Sequence, residues 1–152
     1  RTGLAMSAEI PTLYVAEPSA AYLYQPPIVV DCSVMVAALF EEEARAQAIS
    51  LMTGKKMYAP NLLDHEMVNV AVKKIRSGWP AASVRLALAS YATQAIELRE
   101  TDQQEQFELA LRYDLSGYDA AYLWLAAELK TPLATFDKKL AAAAQAHLSG
   151  LT

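Results

Sequence analysis

Ile28-Val29-Val30-Asp31-Cys32-Ser33 decides the fold. Three β-branched residues in a row suit a strand buried on both faces, and the run stops abruptly at an acid before Val34-Met35-Val36-Ala37-Ala38-Leu39-Phe40 resumes with helical character. A strand of this kind belongs to a parallel sheet, whose carboxyl edge opens into the crevice where α/β proteins keep their chemistry. Asp31 is thereby delivered to that edge. An acid between a strand and a helix also has an ordinary use, because its side chain caps orphan helix N–H groups.

Working outward, the 152 residues suffice for one domain with a full core, and 54% hydrophobic with 20% charged residues is the balance of a globular chain. No apolar run reaches a membrane span, and the amino end lacks a basic stretch leading into an apolar one, so a cytoplasmic protein with no membrane partner is expected. The single cysteine, Cys32, excludes an internal disulfide and a cysteine-rich metal site. His65 and His147 have no local pairing with it, which argues against a thiol nucleophile. A net charge of −4 disfavours a protein that holds nucleic acid by general electrostatics. Acids gathered in one place would instead bind a metal, which supplies local positive charge.

Residues 1–27 carry Pro11, Pro18, Pro26 and Pro27 with the apolar clusters Leu13-Tyr14-Val15 and Tyr22-Leu23-Tyr24, and read as an extended arm. Its first few residues, without a Met, read as an expression remnant. After the short helix, Glu41-Glu42-Glu43 starts a second helix with acids in its first turn, and Gly54 stops it. Met57-Tyr58-Ala59 is a second strand, and Pro60-Asn61 opens a helix ending at Ser77-Gly78. Trp79-Pro80 opens the next, to about Gln94. Ala95-Ile96-Glu97-Leu98 is a third strand, and Thr101-x-x-Gln104 has the capping-box spacing that starts a helix to about Tyr113. Ser116-Gly117-Tyr118-Asp119 opens a helix that ends before Thr131-Pro132. Leu133-Ala134-Thr135-Phe136 is a fourth strand, and Asp137 begins a final alanine-rich helix. Strands alternating with helices imply an α/β fold with a parallel sheet of four to five strands between helical layers.

Four acids recur at such junctions: Asp31 after strand one, Glu66 early in the helix after strand two, Asp119 at a helix start and Asp137 after strand four. Asp31, Glu66 and Asp137 share the carboxyl edge of a parallel sheet. Topology alone leaves the edge of Asp119 open. Each acid also has a structural use: Asp31 and Asp137 as N-caps, Asp119 in a capping box with Ser116, Glu66 as a solvated helix charge.

Taken together, Val29-Val30-Asp31-Cys32-Ser33, Leu62-Leu63-Asp64-His65-Glu66-Met67-Val68-Asn69, Leu115-Ser116-Gly117-Tyr118-Asp119-Ala120-Ala121-Tyr122 and Leu133-Ala134-Thr135-Phe136-Asp137-Lys138-Lys139-Leu140 resemble, in content and order, the PIN-domain ribonucleases, particularly toxins of the VapC type. The resemblance covers roughly residues 28–148 and makes 28–152 a PIN-like domain, a three-layer α/β/α fold. It implies that Asp31, Glu66, Asp119 and Asp137 meet in one pocket as catalytic and metal-holding residues, supported by Ser33, Asn69, Ser116 and Thr135. The family usually has a last strand after its final helix, whereas only Leu151 and Thr152 follow Gly150 here.

Close carboxylates need a counter-charge, and Mg²⁺ (or Mn²⁺) suits hard oxygen ligands. The implied activity is hydrolysis of single-stranded RNA by in-line attack of water, with Asp31 and Asp137 as direct ligands and Glu66 and Asp119 acting directly or through water. Lys138, Lys139 and Lys73 are candidates for holding RNA phosphates. His65 is expected to be structural, and Trp79 and Trp124 to pack. The implied partners are RNA, an antitoxin protein and a second copy of the chain, since the helices from Asn61 to Gln94 are rich in apolar residues; the arm would reach across the pair or add an edge strand. The competing function is a non-catalytic nucleic-acid-binding regulatory subunit of the same fold acting through a partner, which would have no need of four converging acids.

Overall fold

The computed structural model describes Tyr14 and residues 24–40 and 43–151. In chain order the elements are β1 (Pro27–Val30), α1 (Cys32–Leu39), α2 (Arg45–Met52), β2 (Lys56–Pro60), α3 (Leu62–Arg76), α4 (Ala81–Ala92), β3 (Ile96–Arg99), α5 (Gln103–Tyr113), α6 (Gly117–Leu129), β4 (Leu133–Ala134) and α7 (Lys138–Leu148). The strands form one sheet in the order β3-β2-β1-β4, and every pair is parallel. Val29 sits between Tyr58 and Leu133 in the register, so β1 is central.

Successive strand residues face opposite sides, yet Val29 and Val30 are both fully buried. The sheet is therefore covered on both faces, as its continuous apolar run requires. Helix α6 packs against β1 and β2. Its residues Ala120, Ala121, Tyr122, Leu123, Leu125 and Ala126 are all buried, the pattern of a helix enclosed nearly all round. The alanines let the backbone approach the sheet, while full burial of a side chain such as Leu123 contributes roughly 1.5–3 kcal/mol.

Several boundaries depart from the sequence expectation for local reasons. The second helix starts at Arg45 with no acid in its first turn, while Glu41 and Glu42 lie outside the described residues. Helix α5 is capped by Asp102, whose side chain accepts from Glu105 N at 2.9 Å, rather than by Thr101. Thr101 Oγ1 donates instead to Gln106 Oε1. A carboxylate one residue later outcompetes the hydroxyl, being the stronger acceptor. β4 ends at Ala134, not Phe136, because Thr135 leaves the ladder to bond Asp31. β1 starts one residue early, at Pro27, a position that tolerates the missing N–H of proline.

Among the described residues the sheet has four strands, not five, with β4 at its border. A groove of about 700 Å³ lies between β4 and α7, lined by Leu133, Ala144, Leu148 and Leu151. The arm clusters fall outside the described residues apart from Tyr14 and Tyr24, both exposed. No described helix is long and apolar enough to cross a membrane.

Candidate active site

The chain leaves β1 at Asp31, which is 5% exposed and is the N-cap of α1. Its Oδ1 accepts from Ser33 Oγ at 2.6 Å and Val34 N at 3.1 Å, and its Oδ2 accepts from Thr135 Oγ1 at 2.5 Å. The same two hydroxyls pin the loop after β4: Ser33 Oγ accepts from Phe136 N and Thr135 Oγ1 from Asp137 N, both at 2.9 Å. Residues 104 positions apart in sequence are thus locked into one lattice. Asp137 in turn caps α7, its Oδ1 accepting from Lys139 N at 2.8 Å and Leu140 N at 3.1 Å. Capping and a functional role do not compete here, because a carboxylate has about four acceptor sites and each cap uses only some of them.

Glu66 lies on the second turn of α3 and is half-buried, with Oε1 accepting from the Tyr122 hydroxyl at 2.5 Å. Asp119 is in the first turn of α6, whose cap is Ser116, with Asp119 N donating to Ser116 Oγ at 3.0 Å. The edge of Asp119 follows from the connection after it. α6 feeds β4 directly through residues 130–132, β4 is parallel and begins at the opposite edge, so α6 has to begin at the carboxyl edge. Helix α5 makes this possible by filling the crossover from β3; Gln106 Nε2 ties it to Gly117 O at 2.8 Å.

Electrostatics register the grouping. Burial pushes Asp31 above the ordinary carboxylate range, against the pull of its hydrogen bonds from Ser33, Thr135 and Val34. Glu66 is raised by burial, with Asp119 and Asp31 adding to it and the Tyr122 bond opposing. Asp119 is raised by burial, then by Asp137 and Asp31, while Lys139 opposes. Glu66 and Asp119 therefore each feel Asp31, Asp119 feels Asp137 as well, and Asp31, Glu66 and Asp119 hold their protons more tightly than usual. Among the described residues no three acidic, thiol or imidazole side chains are set as a ready cage for a metal.

The other expected residues divide. Ser33, Thr135 and Ser116 are bound into the arrangement, whereas Asn69 is exposed and no bond ties it to the acids. Lys139 lies beside Asp119 but is paired with Asp114 at 3.0 Å; Lys138 is exposed next to Asp137. Lys73 is seven residues beyond Glu66 on α3, roughly 10 Å further from the edge. His65 is exposed on α3. Cys32 is half-buried against Met67, and burial together with Glu66 and Asp31 pushes its thiol up to about 12, which leaves it protonated and unreactive. Trp124 packs with its Nε1 on Glu105 Oε1 at 2.6 Å, and Trp79 stacks edge-on against Phe40 beneath Lys74. The sequence reading missed Tyr122, although a tyrosine within an alanine- and leucine-rich helix signals a hydroxyl in need of a partner.

A parallel α/β sheet with a carboxylate group at its carboxyl edge, braced by two hydroxyls, defines the class. The chain belongs to the PIN-domain family, whose model matches residues 28–146. It is similar to the VapC ribonuclease Mb0985 of Mycobacterium bovis and to Ribonuclease VapC9 of Mycobacterium tuberculosis. Each is 31% identical over 122 residues, 79% of this chain and 93% of the relative. Two solved structures share the fold. PAE2754 from Pyrobaculum aerophilum matches with TM-score 0.63 and 21% identity over 82% of this chain and 88% of that one. VapC20 of Mycobacterium tuberculosis, described as a Sarcin-Ricin loop cleaving toxin, matches with TM-score 0.58 and 15% identity over 82% and 96%.

Proposed function

We propose that this chain is a ribonuclease that hydrolyses phosphodiester bonds of single-stranded RNA with the help of Mg²⁺ or Mn²⁺, and that it is the toxin of a toxin–antitoxin pair in the cytoplasm. The observation that supports the reading is that Glu66 and Asp119 each carry the influence of Asp31, and Asp119 that of Asp137 too, in a chain 31% identical to VapC ribonucleases along most of their length. A regulatory subunit with no chemistry to perform would gain nothing from mutual carboxylate repulsion, which costs stability.

Asp31 and Asp137 would hold the metal, with Glu66 and Asp119 as direct or water-bridged supports. Bound there, the metal supplies positive charge for the phosphodiester and eases deprotonation of the attacking water. Ser33 and Thr135 aim both oxygens of Asp31, so the carboxylate needs no reorganisation when substrate arrives. Tyr122 holds one oxygen of Glu66 and leaves the other for the pocket. Among the cations, Lys138 is the best placed for a phosphate; Lys139 serves once it leaves Asp114, and Lys73 only for RNA running along α3.

Purified protein should cleave single-stranded RNA with Mn²⁺ or Mg²⁺ and stop in EDTA; cleavage unaffected by EDTA, or none with either metal, sinks the reading. Tyr122→Phe keeps the buried ring and loses only the bond to Glu66, so kcat should fall at least about tenfold, from the roughly 1.5–3 kcal/mol expected for a hydrogen bond to a charged group. Because that bond lowers the Glu66 pKa, its loss moves the acid limb of the pH–rate profile to higher pH. An unchanged profile would reduce Tyr122 to packing.

We further propose a homodimer through α3 and α4, where Val68, Val72, Ile75 and Leu86 are exposed at 49%, 37%, 41% and 70%. The arm and an antitoxin helix are candidates for the remaining apolar surface. Light scattering giving the mass of one chain at micromolar concentration would reject the dimer.

A further inference from the structure

Two large aromatic side chains are left in solvent beside the acids. Tyr118 is 67% exposed and precedes Asp119; Phe136 is 42% exposed and lies between Thr135 and Asp137. Neither ring makes a hydrogen bond or ring contact among the described residues. Both backbones are nonetheless fixed. Phe136 N donates to Ser33 Oγ in the lattice around Asp31, and Tyr118 occupies the first turn of α6, held by the Ser116 cap. The rings are thus presented on a rigid frame from two neighbouring segments, since α6 packs on α7 and Lys139 of α7 pairs at 3.0 Å with Asp114, just ahead of α6.

An RNA strand reaching these acids brings its own negative charge to a protein of net charge −4. Beyond the exposed Lys138 little of the chain itself offsets this at the edge, because Lys139 is paired with Asp114 and Lys73 is remote. A contact that needs no charge adds affinity there. Stacking of unpaired bases on aromatic faces is such a contact, and it is tolerant of sequence because every base has a π-face. Bases inside a duplex are already stacked and out of reach, so rings in this position also select single strands.

We infer that Tyr118 and Phe136 are stacking platforms for unpaired bases on either side of the scissile phosphate. This rests on the ribonuclease reading, and the test separates the two. Binding is measured on the full chain carrying Asp31→Asn, with a mixed-sequence single-stranded RNA containing a fluorescent adenine analogue; KM and kcat are measured on the otherwise unchanged chain with Mn²⁺. Tyr118→Ala and Phe136→Ala should each raise Kd and KM about tenfold (~1.4 kcal/mol) and relieve quenching of the analogue, with kcat much less affected. Tyr118→Phe and Phe136→Tyr should keep affinity and quenching. If the starting protein cleaves RNA while both alanine variants bind as before, the platforms are wrong and the ribonuclease stands. Alanine variants that alter only the mass in light scattering overturn the inference in favour of a protein contact. A starting protein that neither binds nor cleaves RNA overturns both readings.

Discussion

Asp31→Asn is expected to lower RNA cleavage by about a thousandfold or more, the scale of losing a central electrostatic group from an active site. The substitution is nearly isosteric. Asn Oδ1 still accepts from Ser33 Oγ and Val34 N, while Nδ2 turns toward Thr135 Oγ1, so the lattice joining β1 to the β4–α7 loop keeps its shape. What is lost is charge. The same change should raise the Tm of the metal-free protein at neutral pH, and the sign follows from linkage. Asp31, Glu66 and Asp119 are all raised in the folded state above ordinary values of 3.8, 4.5 and 3.8. The folded chain then binds more protons than the unfolded one, so the contribution of these groups to stability is fully present at and below those ordinary values and is lost as pH rises through the raised ones. The advantage of Asp31→Asn in EDTA should therefore shrink as the pH is brought down toward 4. Unchanged cleavage in Mn²⁺ would remove Asp31 from the chemistry; a lower Tm in EDTA at neutral pH would show that its hydrogen bonds outweigh its desolvation.

How far the sequence went can be followed residue by residue. Ile28-Val29-Val30 was decisive because a β-branched run without alternation has few places to go except the middle of a covered sheet, and Val29 and Val30 are fully buried there. Asp31 and Asp137 were legible because a strand–acid–helix junction is local. The cap of α5 was misread by one residue, since Thr101 and Asp102 both carry acceptors and only the packed helix decides which one is used. Glu41-Glu42-Glu43 suggested a helix start through the dipole, yet α2 begins at Arg45. β4 reads as four residues by propensity and ends after two, because a contact with Asp31, far away in sequence, draws Thr135 out of the ladder. The edge of Asp119 stayed open in the sequence because two helices lie between β3 and β4; it follows only once β4 is seen to pair parallel to β1 with α6 feeding it directly. The Tyr122–Glu66 bond spans 56 positions and depends on α6 crossing the sheet beside α3, which no local pattern encodes.

Mn²⁺ at about a hundredfold its Kd should stabilise the folded chain by ~2.7 kcal/mol, since a ligand bound only by the native state acts by mass action. For a chain of this length each 1 kcal/mol moves Tm by about 2–4 °C, so a rise of roughly 5–10 °C is expected. The response should also depend on pH in the direction opposite to the metal-free protein. Raised carboxylates lose protons to the metal, so binding tightens as pH rises, and the metal restores stability where mutual repulsion had removed it. Asp119→Asn with Asp137→Asn removes two of the four charges while leaving the apolar core untouched, and should cut the Tm rise to a small fraction. Asn caps a helix about as well as Asp, so α7 keeps its cap, while neutralising the raised Asp119 shifts the starting Tm on its own account. The relevant quantity is therefore its Tm with Mn²⁺ minus its Tm in EDTA, not its absolute Tm. Calorimetric titration provides the independent check: equal Mn²⁺ affinity in the double variant and the wild type would mean that the acids do not form the metal site, whatever happens to cleavage.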